Sequence, residues 1–162
     1  MKFAICNEIF QGWKLDEAMT FAKTAGYDAI EIAPFTIAND VTKISATQRK
    51  EIRETAEKIG IEISGIHWVL VQTEGFHLTH PDATVRERTA KYFSELVDFC
   101  ADIGGKFIVV GSPKQRNLMD GIPQEQAWAF ATEIFREPVM RAEQRAVQPA
   151  PVQEHEHCRD RR

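Results

Sequence analysis

One pattern of apolar and polar positions occurs three times along the chain: an alanine-rich helix end, a glycine, a short apolar strand, and a polar residue where the strand stops. The copies read AKTAGYDAIEIAPF, AEKIGIEISGIHW and ADIGGKFIVVGSP. A glycine after the last helical turn can adopt the left-handed conformation that lets the chain leave the helix. The strands are nearly continuous apolar runs, which is typical of a parallel sheet covered on both faces. The pattern predicts a parallel β/α fold, which carries its chemistry on polar side chains at the carboxyl ends of the strands.

Four β/α units can be placed on residues 1–140. The predicted strands are 2–6, 29–32, 61–66 and 107–110, and the predicted helices are 15–25, 45–59, 83–104 and 123–135. Two of these helices have recognisable N-terminal signals. The residues SATQ at 45–48 match a capping box, and Asp82 is a predicted N-cap. We expect the helices to lie against the sheet.

The composition of the chain changes after residue 140. Residues 141–162 contain no Leu, Ile, Met, Phe, Trp or Tyr, but they contain five arginines and two prolines. Such a segment has little apolar surface with which to form a core-facing strand. We therefore divide the chain into a domain of residues 1–140 and a divergent tail of residues 141–162, and we expect residues from about 146 onward to be poorly ordered.

Composition and charge narrow the classes of function. The 162 residues, of which 43% are apolar and 27% charged, are sufficient for one domain with a proper core. The formal net charge of −4 disfavours nucleic acid as a partner, because no basic excess is present to bind a phosphate backbone. No apolar run approaches the roughly 18 to 20 residues of a spanning helix, and the start MKFAICNEIF lacks the pattern of a signal peptide. We expect no membrane association and a cytoplasmic location.

The three cysteines, Cys6, Cys100 and Cys158, are not spaced as a zinc pair or as a CxxC redox motif. We interpret them as buried free thiols. An odd number of cysteines in a reducing compartment needs no further explanation. His155, His157 and Cys158 form a short tract near the end of the sequence, and such a tract can bind zinc or nickel adventitiously.

Several of these motifs together resemble a known family. GYDAIEIAPF, SGIHW, EGFHLTHPD with the following VRERT, and above all GGKFIVVGSPKQRN are similar to the sugar phosphate isomerase/epimerase branch of the xylose isomerase-like TIM barrels. The resemblance covers roughly residues 1–140. It implies a partial (β/α)8 TIM barrel of about four parallel βα units, because the barrel has eight such units and this sequence matches the amino-terminal half.

The resemblance also implies a cofactor and a substrate. Typical members hold a divalent manganese, magnesium or zinc ion with Glu, Asp, His and Glu at the ends of strands five to eight, and paired glutamates transfer a proton beside the carbonyl of a sugar or sugar phosphate. Those positions have no counterpart in this sequence. We therefore expect no catalytic residue in this chain, no binding of that ion by it, and absent or severely impaired activity. A frameshift, a truncated gene model and a naturally short protein are explanations that one sequence leaves open.

The remaining candidate site residues lie where the predicted strands end. His67 could bind a substrate hydroxyl or, as histidines do in the related apurinic-site endonucleases, a metal; the alternative is a histidine satisfied by backbone partners. Trp68 could stack on a sugar face or cap the barrel mouth. Glu31 lies inside an apolar strand, where a carboxylate requires a cation, a hydrogen-bond network or a substrate. Glu8, at the end of the first strand, has the same alternatives.

A second group of candidates, Ser112, Lys114, Gln115 and Arg116, follows the fourth strand. The lysine and arginine, with serine and amide donors beside them, could hold a phosphate or carboxylate by charge-assisted hydrogen bonds. The alternative is a solvated polar loop. His77 and His80 are also close in sequence, but they lie on a predicted loop, where their spacing gives little reason to predict a metal site.

Three functions are consistent with these observations. The first is a metal-dependent sugar or sugar phosphate isomerase/epimerase that works only if the missing half of the barrel is supplied. The second is a non-catalytic half barrel that pairs with itself or with a partner, because its first and fourth strands would leave unpaired edges, and this predicts a homodimer. The third is an apurinic-site endonuclease relative, which the negative net charge disfavours.

Overall fold

The structure is a computed structural model that describes residues 1–150. In this part of the chain, five parallel strands alternate with four α-helices. The strands are β1 (Ala4–Cys6), β2 (Ala29–Ile32), β3 (Glu62–His67), β4 (Phe107–Val109) and β5 (Gln148–Ala150). The helices are α1 (Leu15–Thr24), α2 (Ala46–Ile59), α3 (Ala83–Asp102) and α4 (Gln124–Arg145). The predicted α/β fold of parallel βα units is confirmed.

The strands lie in the sheet in their chain order, and each is parallel to the next. This order, with helices connecting successive strands, is that of one side of a TIM barrel. Within residues 1–150 the sheet is open, because β1 and β5 each pair with a strand on one side only. The carboxyl ends of all the strands lie at the same edge of the sheet.

The local signals in the sequence act as predicted. The glycines that follow α1, α2 and α3 have positive φ angles, +93° at Gly26, +78° at Gly60 and +89° at Gly104. The Ser45 hydroxyl accepts a hydrogen bond from the Gln48 amide, and the Gln48 side chain accepts one from the Ser45 amide. Asp82 caps α3 by accepting a hydrogen bond from the Thr84 amide at 2.8 Å. The capping box and the N-cap are therefore confirmed.

The core lies between the sheet and the helices. The sheet contributes buried isoleucines, and the helices contribute larger side chains; the set includes Met19, Ile30, Ile63, Ile66, Phe93, Leu96, Phe99 and Ile108. Burial of this apolar surface is the main favourable contribution to folding. The helices of residues 1–150 are each too short or too polar to span a bilayer.

The pairing of β2 with β3 is irregular. Ile30 lies opposite Ile63, but the next residue, Glu31, lies opposite Gly65, so that Ser64 is an extra residue on β3. The Ser64 hydroxyl donates a hydrogen bond to the Ile30 carbonyl at 3.2 Å. A Cβ atom at Gly65 would overlap the backbone of Phe107. Glycine therefore allows β3 and β4 to approach closely at the level of Glu31.

The carboxyl-terminal part of the described chain differs from the prediction. The predicted helix 123–135 continues to Arg145, and β5 follows it, so the predicted division between residues 140 and 141 falls inside α4. The extension is held by ion pairs between α4 and α3, in which Arg141 binds both carboxylate oxygens of Asp98 at 2.9 Å. Val147 is buried in the core and precedes β5. The remainder of the predicted tail, residues 151–162, lies outside the described residues.

Candidate functional site

Polar side chains from three strands meet at the carboxyl edge of the sheet. Cys6 at the end of β1 lies opposite Glu31 of β2, which in turn lies opposite Gly65 of β3. His67 is two residues beyond Gly65 and lies on the same face of the sheet, because side chains two apart on a strand share a face. Glu8 lies in the single 3-10 turn that follows β1.

The imidazole of His67 is the centre of this group. Its Nε2 atom lies 2.8 Å from the Cys6 sulfur and 3.7 Å from a carboxylate oxygen of Glu8. Its Nδ1 atom lies 3.3 Å from a carboxylate oxygen of Glu31. The side chain of His67 is 8% exposed, whereas those of Glu8 and Glu31 are 30% and 28% exposed. The structure thus brings together three predicted site residues, Glu8, Glu31 and His67, and adds Cys6.

Burial decides the protonation states of the imidazole and the thiol. Burial lowers the pKa of His67 to about 4, so the imidazole is neutral at pH 7. Burial also raises the pKa of the Cys6 thiol to about 12, and the carboxylates of Glu8 and Glu31 act in the same direction. Both groups are therefore uncharged at neutral pH in the absence of a nearby cation.

The two carboxyl groups hold their protons more strongly than free glutamates do. Burial raises the pKa of Glu8, and burial together with the charge of Glu8 raises the pKa of Glu31. Among residues 1–150, His67 is the one basic side chain within ion-pair distance of the Glu8 or Glu31 carboxyl group, and its imidazole is neutral. This edge of the sheet therefore combines negative charge with groups that can exchange protons nearer to neutral pH.

Asn7 supports the site, although no role was predicted for this polar residue at the end of the first strand. It is buried, its side-chain oxygen accepts a hydrogen bond from the Ala33 amide at 2.7 Å, and its side-chain nitrogen donates one to the Thr36 hydroxyl at 2.8 Å. These bonds connect the chain after β1 to the chain after β2. The signal that could have indicated Asn7 is its position between Cys6 and Glu8 at a strand end.

A pocket of about 640 Å³ opens beside Glu8. Its lining combines aromatic and polar residues, among them Asn7, Glu8, Phe10, Trp13, Phe35 and Gln72. Phe10 and Trp13 are part of an aromatic cluster, with their ring centres 5.4 Å apart. No site was predicted for this segment from the sequence, because a lone FQGW stretch carries no specific signal. Glu8 is the residue shared by the pocket and the His67 group.

Trp68, another predicted site residue, follows His67 directly. It has a positive φ of 55° and is 39% exposed, and its carbonyl accepts a hydrogen bond from the Val71 amide. Its backbone therefore turns the chain away from the sheet immediately after β3. Contact with a sugar remains a prediction for this residue.

The loop after β4 has a structural role that the sequence did not reveal. Ser112 is buried, and its hydroxyl accepts a hydrogen bond from the Leu70 amide at 2.9 Å, which ties the loops after β3 and β4 together. The backbone carbonyl of Gln115 accepts another from the Leu78 amide at 2.7 Å. Arg116 donates to the Gly111 carbonyl, and Lys114 is exposed. Anion binding by this loop remains a prediction.

The histidines of the long loop after β3 form local hydrogen bonds. The Nδ1 atom of His77 accepts from the Thr79 amide, and its Nε2 atom lies 3.2 Å from the Asn117 side-chain oxygen. The Nδ1 atom of His80 accepts from the Asp82 amide at 3.0 Å. The ring nitrogens in these bonds stabilise the loop. His155, His157 and Cys158 lie outside the described residues.

The comparison with protein families assigns the fold to a family. The family model described as xylose isomerase-like TIM barrel matches residues 19–151. The chain belongs to this family. The match to the xylose isomerase-like TIM barrels extends beyond residue 140, through the end of α4 and across β5.

Solved sugar epimerases share this xylose isomerase-like fold. D-psicose 3-epimerase from Clostridium cellulolyticum H10 has a TM-score of 0.74 at 18% identity, over 92% of this chain and 51% of its own. The 3-keto-D-glucoside 4-epimerase of E. coli has a TM-score of 0.70 at 15% identity, over 93% and 55%. A sugar phosphate isomerase/epimerase from Parabacteroides distasonis ATCC 8503 has a TM-score of 0.60 at 16% identity, over 93% and 50%. This chain therefore spans about half the length of these structures.

Comparison with curated proteins found no match.

The resemblance of the sequence to xylose isomerase-like barrels implies a metal held by Glu, Asp, His and Glu on strands five to eight. The described strand ends do not present this set; β1 to β3 present a thiol, two carboxyl groups and an imidazole instead. The described residues therefore do not fit that particular metal site.

Proposed function

We propose that this protein binds a sugar at the carboxyl edge of its sheet and takes part in the isomerisation or epimerisation of that sugar. The observation that carries the proposal is the convergence of Glu8, Glu31 and His67 beside a pocket of about 640 Å³. Pockets for small molecules commonly have volumes of about 300–1,000 Å³. The sugar epimerases among the structural neighbours support the same class of substrate.

The pocket offers suitable contacts for a sugar. The carboxyl group of Glu8 can bind sugar hydroxyls. The aromatic rings of Phe10 and Trp13 offer apolar surface for the face of the sugar ring that presents C–H groups. Lys114, on the loop after β4, extends the proposal to phosphorylated sugars, because an ammonium group can bind a phosphate. We place this activity in the cytoplasm.

The proposed chemistry is proton transfer at the carbon next to the sugar carbonyl. This requires a group that accepts a proton and a group that returns one, and each works best with a pKa near the operating pH. The raised pKa values of Glu8 and Glu31 suit them to this role. Because the described sheet is open, the proposal includes a further segment or a second chain that completes the site.

Binding and hydrogen exchange test this function in one sample. The full chain is mixed in D₂O with a panel of ketoses, aldoses and their phosphates; saturation-transfer NMR detects binding, and loss of the carbon-bound hydrogen signal detects proton transfer. We expect binding and slow exchange for one sugar class. In Glu8→Gln we expect binding weakened about tenfold or more, because a hydrogen bond to a charged group is lost.

Glu62→Gln is the matched control. Glu62 is also a strand glutamate, but it lies at the amino end of β3 and forms an ion pair with Lys2, far from the carboxyl edge. We expect this variant to bind and exchange as the wild-type chain does. Failure of every sugar to bind, or equal losses in the two variants, would contradict the proposal. Binding without exchange would instead support a non-catalytic role.

A second candidate function is that of a non-catalytic half barrel that associates with a copy of itself. The observation that favours it is the open sheet, in which β1 and β5 each keep one unpaired edge among the described residues. Apolar side chains where two of the strands begin are also exposed, with Phe3, just before β1, at 56% and Phe107, the first residue of β4, at 40%. Association would cover both features.

A further inference from the structure

We propose that Cys6, Glu8 and His67 form a binding site for a zinc ion. Each residue offers one ligand atom, and the three atoms all lie within 4.8 Å of one another. This site is separate from the one that family resemblance implies, because its ligands come from the chain around β1 and β3 rather than from strands five to eight. It also stands apart from the proposed function, since an ion can be bound without any turnover of sugar.

One pair of the three ligand atoms already has the spacing that a tetrahedral ion requires. Zinc bonds of about 2.0–2.3 Å at tetrahedral angles place neighbouring ligand atoms about 3.3–3.6 Å apart. His67 Nε2 and the Glu8 oxygen are already 3.7 Å apart. The Cys6 sulfur is 2.8 Å from Nε2 and 3.5 Å from Nδ1, so it lies beside the ring and out of line with the Nε2 lone pair. To share an ion with Nε2, the thiol would move away from the ring by at least about 0.7 Å, and the Cys6 and His67 side chains would rotate.

The second nitrogen of His67 also has a carboxylate near it. A carboxylate oxygen of Glu31 lies 3.3 Å from Nδ1, which is ion-pair distance. A histidine that ligates a metal usually donates its other N–H to a carboxylate, which fixes the ring and its tautomer. Glu31 would therefore hold His67 with Nε2 directed at the ion.

The charge of the group favours a cation. Two glutamates flank a neutral imidazole, and no Lys or Arg side chain of residues 1–150 forms an ion pair with either. A neutral imidazole has a free lone pair for a metal. A bound divalent ion would supply the missing positive charge, and the thiol would release its proton to solvent on binding.

The donor set selects zinc over harder ions. Magnesium and calcium prefer oxygen ligands only, whereas thiolate and imidazole suit zinc. Three protein ligands leave a fourth position open to water or to a ligand oxygen. The same Cys–His contact could also be that of a nucleophilic thiol, but burial raises the pKa of Cys6 to about 12 and so disfavours a reactive thiolate.

The test uses the full chain with the substitutions His155→Ala, His157→Ala and Cys158→Ser, which remove the other sequence tract able to bind zinc. After addition of zinc and gel filtration, we expect one zinc per chain by elemental analysis. With cobalt in place of zinc, we expect a thiolate-to-cobalt charge-transfer band, which reports a Cys ligand directly. Zinc should also raise the thermal midpoint of unfolding.

Further substitutions in this chain without the tail ligands identify the zinc ligands. We expect Cys6→Ser to lose the charge-transfer band and the stoichiometric zinc, and Glu31→Gln to weaken zinc binding by about 10-fold to 100-fold. Cys100→Ser is the matched control, because Cys100 is a second thiol, buried in α3, that donates a hydrogen bond to the Phe107 carbonyl and is not one of the three proposed ligands. Both signals should remain in this control.

Three results would overturn the proposal: no retained zinc in the chain without the tail ligands, a charge-transfer band that persists in Cys6→Ser, and unchanged zinc affinity in Glu31→Gln. Circular dichroism shows whether Cys6→Ser is folded, and if it is not, Glu31→Gln decides. Because these measurements involve no sugar, their failure would leave the sugar-binding experiment unaffected. Sugar binding could likewise fail while zinc binds.

Discussion

At the scale of single residues, Asn7 explains how two strand ends are held beside each other. Its side chain binds the Ala33 amide and the Thr36 hydroxyl across the gap between the segments after β1 and β2. Ala33 is fully buried, so its N–H group depends on this one acceptor. The positions of Cys6 and Glu8, on either side of Asn7, therefore depend on an amide that performs no chemistry itself.

Asn7→Ala is expected to lower the free energy of unfolding by about 1–3 kcal/mol, because the buried Ala33 N–H group loses its acceptor. Urea denaturation followed by circular dichroism measures this change. Asn39→Ala is the control, since Asn39 is exposed and should lose less than about 0.5 kcal/mol. Equal losses in the two variants would show that the Asn7 hydrogen bonds contribute little.

Some of the site could be predicted from single residues, and some could not. The rule that parallel strands carry chemistry at their carboxyl ends indicated Glu8 and His67. The cost of a carboxylate inside an apolar strand indicated Glu31, and the structure brings the three together. Cys6 was interpreted as a buried free thiol, since an isolated cysteine has no motif. Its contact with His67 joins residues 61 positions apart, and no spacing rule reaches that far.

At the scale of elements, the carboxylate of Asp102 connects three helices. It binds Arg49 of α2 at 3.0 Å and Arg145 of α4, while Asp102 itself is at the end of α3. The Arg49 side chain is 11% exposed and also donates to the carbonyls of Ile44 and Val41. The charge of Arg49 is therefore largely removed from water and needs a partner.

Asp102→Asn is expected to lower the free energy of unfolding by about 1–3 kcal/mol, because it leaves a mostly buried arginine without its carboxylate. Thermal and urea denaturation at low salt measure the loss. Glu87→Gln removes the same charge from an exposed position on α3 and should have little effect. A stable Asp102→Asn protein would mean that the helices pack without this ion pair.

The end of α4 shows why helix boundaries were harder to predict than helices. The apolar pattern weakens after Phe135, and a proline, Pro138, lies within the helix. The helix continues because its end forms ion pairs with α3. Asp98 and Asp102, four residues apart on α3, contact Arg141 and Arg145, which are four residues apart on α4. That match can be recognised only once the two helices are known to be neighbours.

At the scale of the whole molecule, the described sheet is one side of a ring. Phe107 of β4 lies level with Gly65 and is 40% exposed, although family members normally enclose this face. Exposed aromatic groups and unpaired strand edges favour association. We therefore expect the purified chain to form dimers in a concentration-dependent equilibrium.

Sedimentation equilibrium tests this expectation. Phe107→Asp should weaken dimer formation at least about tenfold, because it places a charge on the surface to be covered. Trp128→Asp is the control: Trp128 is more exposed, at 67%, but lies on α4. A wild-type chain that stays monomeric at all concentrations, or a control variant with the same loss as Phe107→Asp, would contradict association through the sheet.

The overall architecture followed from the sequence because glycine stops, caps and apolar runs are local signals, and each acts within a few residues. β5 was not predicted, since Gln148 and its neighbours carry no apolar run and pair because α4 returns the chain beside β4. The family match through residue 151 agrees with the structure there.

Ser64 has a consequence for the site that hydrogen bonding alone does not describe. Side chains alternate between the two sides of a strand, so one inserted residue reverses the alternation for all that follow. On β3, this reversal turns Ile66 to the helices and His67 to the side of Cys6 and Glu31. If β3 paired regularly with Ser64 retained opposite Glu31, every reactive group would remain in the chain, but the imidazole would point into the apolar core. The irregular pairing of β3, as much as its composition, therefore determines whether these groups can meet.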